Sequence, residues 1–75
     1  MTEEQKRELE GNINYYSYRS ALCKSLKDTN MAIFYEARML AVIEALLILG
    51  YEAHIYTDNE CAGVVYDMYK IVEKN

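Results

Sequence analysis

Apolar and polar residues recur at helical spacing through the first part of this chain and alternate at strand spacing near its end. At about 100° per residue, Leu9, Ile13, Tyr16, Ser20 and Cys23 line one stripe. Tyr15, Tyr18, Leu22 and Leu26 form a second stripe beside it, so the apolar arc is broad. Lys6, Glu10, Asn14, Ser17, Lys24 and Asp28 are read as the opposite side. Thr2 with Gln5 fits a capping box, and Glu3 and Glu4 suit the positive end of a helix dipole. A helix is therefore expected from Thr2 to about Lys27. Gly11 weakens it by about 1 kcal/mol relative to Ala.

Asp28-Thr29-Asn30 groups cap and turn formers between that helix and a second one, expected over Met31 to Leu49. Only Glu36, Arg38 and Glu44 are charged there, and they do not share a face. A helix apolar nearly all round has to be covered nearly all round, so this helix is expected at the centre of the fold. Gly50 reads as the residue that closes it.

From Tyr51 to Thr57 the pattern changes to alternation, with Tyr51, Ala53 and Ile55 on one side and Glu52, His54 and Tyr56 on the other. Asp58-Asn59-Glu60 reads as the following turn. Val64 to Val72 has the β-branched and aromatic content of a pairing strand. The same stretch admits a helix, because Thr57 and Glu60 fit a capping box and Cys61, Val64, Val65, Met68 and Val72 recur at helical spacing. The preferred fold class is α+β, a single domain over residues 1–75: a two-helix hairpin covered by a C-terminal β-hairpin (α-α-β-β). An all-α three-helix arrangement is the alternative.

Seventy-five residues suffice for one core, with little left for a lined catalytic cavity. The formal charge is −4 and the eight Lys and Arg are scattered, so duplex nucleic acid is not an expected partner. Met39 to Leu49 is broken by Glu44 and is too short to span a bilayer. The beginning of the sequence lacks a charged-then-apolar leader pattern, and a cytoplasmic location is expected. Cys23 and Cys61 are isolated, which suits reduced, packed thiols better than a zinc site or a disulfide.

Candidate chemistry is sparse. His54 lies near Glu52, Asp58 and Glu60, yet a metal site needs three or four ligands held in fixed positions, and an outward strand residue is the simpler reading. Cys61 as a nucleophile would want a base such as His54, in an acidic neighbourhood that disfavours a thiolate. Glu36 and Glu44 are two turns apart and are not placed for paired-carboxylate catalysis. No phosphate-binding glycine loop and no hydrolase or metalloprotease motif occurs. The expectation is a non-enzyme without a metal or cofactor.

Two features point to binding. Tyr15, Tyr18 and Arg19 fall within five positions on the flank of the main stripe, and Tyr and Arg are enriched at interface hot spots. The chain also carries more apolar surface than so short a sequence can hide, which points to a protein partner or to a homodimer through the helices. In composition alone, being short, acidic, Tyr-rich and free of catalytic motifs, the chain resembles the small accessory proteins of phages and mobile elements. That resemblance implies a stoichiometric inhibitor of a host defence machine, of the anti-CRISPR or another anti-defence type. The alternatives are an oligomer that sequesters a small ligand or nucleotide between tyrosines, and a purely structural oligomer.

Overall fold

Thr2 opens the first helix with a reciprocal pair of bonds: the Gln5 N–H donates to Thr2 Oγ1 at 3.1 Å and the Thr2 N–H donates to Gln5 Oε1 at 3.0 Å. The structure is a computed structural model that describes residues 1–74. Its element order is α1 (Glu3–Ser25), α2 (Thr29–Ile48), β1 (Tyr51–Cys61) and β2 (Val64–Glu73). The fold is α+β, with the helical hairpin followed by two antiparallel strands. The three-helix alternative is overturned, because the β-branched run at 64–73 pairs along its whole length with β1.

Local chemistry sets each boundary. Lys27, at φ 60°, ends α1, with its N–H bonded to Lys24 O at 3.0 Å and the Asp28 N–H bonded to Cys23 O at 2.8 Å. The Asp28 side chain then accepts from the Met31 N–H at 3.2 Å and starts α2. Gly50 closes α2 as expected, at φ 90° with its N–H on Leu47 O.

The hairpin turn lies elsewhere than expected. Asp58, Asn59 and Glu60 belong to β1 and pair with Asp67, Tyr66 and Val65. The connection is Ala62-Gly63, with φ values of 52° and 79°. A two-residue turn that follows the twist of its strands needs positive φ at both positions, and Gly63 supplies one of them without strain. Tyr56 is an extra residue between the pairs Ile55–Tyr69 and Thr57–Met68, and this bulge re-phases the distal half of β1. Ile55, expected on the covered side with Tyr51 and Ala53, sits beside the bulge and is exposed.

The core is Ile13, Met39, Leu46 and Ile71, flanked by Leu9, Tyr16, Val42, Ala53 and Tyr69. The first predicted stripe is the one that packs, with Ile13, Ser20 and Cys23 buried. The second helix departs from expectation: it buries only Ala32, Met39 and Leu46, one line at seven-residue spacing, and its outer face is open. The β-hairpin packs chiefly on α1, so no described residue covers the far side of α2, and α2 is not the centre of the fold.

The reason lies in the polar row Glu10, Asn14 and Ser17. A step of one residue is about 100°, so Asn14 stands beside Ile13 and not opposite the stripe. The row faces the free edge of β2. Asn14 Nδ2 donates to Tyr69 O at 3.2 Å, and the Tyr69 N–H donates to Asn14 Oδ1 at 2.7 Å. The Ile71 N–H donates to Glu10 Oε1 at 2.7 Å, and Ser17 Oγ donates to Asp67 O at 2.7 Å. Helix side chains thus take the place of a third strand along β2.

Candidate functional site

The segment holding Tyr15, Tyr18 and Arg19 divides in two. Because α1 lies along the edge of β2, residues that border its polar row reach the hairpin and those farther round the helix reach α2. Tyr18 turns to the face of the hairpin away from the core and meets the Tyr66 ring edge-on at 5.2 Å between centroids. Loss of solvent, and then the adjacent Cys61 thiol, push its phenol above the ordinary range.

Tyr15 and Arg19 turn the other way, toward α2. Tyr15 lies 5.9 Å from the Tyr16 ring and 6.4 Å from that of Tyr35, and it is exposed. The Arg19 guanidinium carbon stands 5.2 Å from the Tyr35 ring centre, and the Tyr35 phenol raises the arginine further above its ordinary value. Arg19 Nε is buried without a hydrogen-bond partner among the described residues. The Arg38 guanidinium carbon lies 5.3 Å from the Tyr16 ring centre and 5.4 Å from that of Phe34, with Nη2 donating to the Tyr16 hydroxyl at 3.3 Å. Two arginines and four rings therefore form one cluster across the helix pair. Phe34, Tyr35 and Arg38 escape a reading confined to α1; their legible signal is the spacing of Phe34 and Arg38, which puts them on one face of the next helix.

The cluster runs into the open face of α2. Ile33 is 59% exposed, Leu40 49%, Leu47 43% and Ile48 85%. Ala37, Ala41 and Ala45 follow one ridge between them, all exposed, and Arg38 and Glu44 are the charged residues on this face. Beside the ridge is an apolar groove of about 330 Å³ lined by Leu9, Ala41, Val42, Ala45, Leu46 and Leu49.

The other candidates do not assemble. His54 Nε2 lies 2.6 Å from Glu52 Oε2 on the exposed face of the hairpin. The bulge turns Asp58 and Glu60 to the other face. Among the described residues, no three His, Cys, Asp or Glu side chains group as a metal site. Cys61 and His54 are seven residues apart along β1, roughly 20 Å at strand rise, so His54 cannot act as its base. Both thiols are free; Cys23 is buried as expected, but Cys61 is exposed because it borders the hairpin turn. Glu36 pairs with Lys24 Nζ at 3.9 Å, well away from Glu44. A cleft of about 350 Å³ between the helices and β2 is lined by Ser17, Lys24, Glu36, Asp67 and Tyr69 among others. No helix of the described residues is long and apolar enough to cross a membrane. No protein-family model, curated protein or solved structure matches the chain.

Proposed function

We propose that this chain is a protein-binding module without catalytic activity, and that it docks through the outer face of α2 together with the aromatic-arginine cluster at one end of that face. The observation that carries the reading is the exposure of Ile33, Leu40, Leu47 and Ile48 along a helix whose opposite side is filled by the core. Contiguous apolar surface with few charges marks an association site in a soluble chain. The cluster adds Tyr15, Phe34 and Arg19, residue types that anchor interfaces, on side chains already steadied by their ring contacts. An inhibitory role, of the kind implied by the resemblance to phage accessory proteins, would act through this surface by occlusion.

The experiment is photo-crosslinking from position 40, with a benzophenone amino acid in place of Leu40 and the same label at Glu3 as a control. The reading expects discrete protein adducts from position 40 and none from position 3. Equal or absent labelling at the two positions contradicts it.

A further inference from the structure

We infer that the occupant of the outer face of α2 is a second copy of this chain, packed antiparallel about a two-fold axis near Ala41. The inference rests on the binding reading above and names its partner.

The face is complementary to itself. About a two-fold axis at Ala41, residues equally far before and after it come level with each other. Ala37 then lies level with Ala45 of the other copy, and Phe34 with Ile48. The alanine ridge lets the two helix axes approach closely. Phe34 is 46% exposed and stands at the height of the other copy's apolar groove beside Ala45 and Leu49, so each copy offers one knob and one hole. A two-fold axis makes such an exchange reciprocal.

Charge does not oppose the same occupant. The whole chain carries −4, which repels a second copy, but the outer face holds one Arg38 and one Glu44 and is neutral. In the antiparallel arrangement Arg38 comes level with Glu44 of the other copy on the opposite flank of the seam, so the two faces meet without net repulsion and without a fixed ion pair. The apolar stripe from Ile33 to Ile48 is roughly 22 Å long, a small contact, so dissociation is expected in the micromolar range.

Sedimentation equilibrium on the full chain tests this. The wild type should dimerise, and Arg38→Glu or Glu44→Arg alone should weaken self-association about tenfold or more, because each gives the face two like charges. Mixing the two single variants should restore a dimer, since their faces then carry opposite charges. Ile48→Lys, at a position 85% exposed where the fold of one copy is not at stake, should abolish the dimer with an unchanged circular dichroism spectrum. A wild type that stays monomeric up to roughly 0.5 mM overturns the inference. So does a mixture of variants that fails to dimerise although each variant is folded. If the position-40 adduct is another protein and the wild type is monomeric, the binding reading stands and this inference falls. If position 40 yields no adduct, both fall.

Discussion

Asn14 and Tyr69, fifty-five residues apart, exchange two hydrogen bonds, the side-chain amide of one meeting both backbone groups of the other. Asn presents a donor and an acceptor in one plane, as a neighbouring strand does, and so it closes a sheet edge from a helix. With Glu10 and Ser17 on adjacent turns, this fixes α1 along β2. That placement leaves the hairpin beside α1 and the outer face of α2 uncovered.

Replacing Asn14 with Leu should therefore destabilise the fold by about 2–3 kcal/mol, since two backbone groups lose their partner. Asn14→Asp keeps the acceptor for the Tyr69 N–H and sets a second acceptor against Tyr69 O, so part of the loss should remain. Urea denaturation followed by circular dichroism measures both. A loss under about 0.5 kcal/mol in Asn14→Leu means that water serves this edge equally well.

Among the described residues, two hold positive φ without being glycine, Lys27 at 60° and Ala62 at 52°. Lys27→Gly and Ala62→Asn should each stabilise by about 0.5–1 kcal/mol, the second because Asn before Gly63 suits the primed turn. A fall in melting temperature for Ala62→Asn would mean that the turn is of another type.

How far was this legible beforehand? Thr2, Asp28 and Gly50 announced the helix ends, and Ile13, Ser20 and Cys23 announced the packed face, because caps and helical periodicity are local. The turn at Ala62-Gly63 was hidden by the stronger turn composition of Asp58-Asn59-Glu60, and the bulge at Tyr56 has no sequence signature of its own. The open face of α2 reads as covered in the sequence, because hydrophobic pattern says that a residue wants burial and not which chain supplies it. Tyr18 parts from Tyr15 and Arg19 for a related reason: it borders the polar row whose partner is a distant strand, while the other two lie farther round α1 toward α2.

That division separates two mutational outcomes. Tyr18→Ala removes the contact with Tyr66 and should lower the melting temperature. Tyr15→Ala removes an exposed ring and should leave the melt nearly unchanged while weakening association. Melting and binding measured on the same two variants distinguish them, and the reverse pattern would place the binding surface on the hairpin side.

Alkaline pH should weaken the fold. Tyr69, through burial and then the charges of Asp67 and Glu36, and Tyr18, through burial and then Cys61, both have phenol pKa values raised from 10.0. The folded state therefore holds these protons more tightly than the unfolded state. Their contribution is fully present below pH 10 and is lost as pH rises through the folded values. Urea midpoints measured across this range should fall above pH 10 in the wild type and fall less in Tyr69→Phe. Equal slopes in the two proteins would remove Tyr69 from the explanation.

Methyl spectra of Ile-, Leu- and Val-labelled protein over a concentration series read most directly which side of α2 meets another chain. The signals of Ile33, Leu40, Leu47 and Ile48 should shift together as concentration rises, while the buried Ile13 and Ile71 hold still. Shifts confined to Ile55 and Val65, exposed methyl-bearing residues of the hairpin, or a spectrum unchanged throughout, would contradict a second copy on this face.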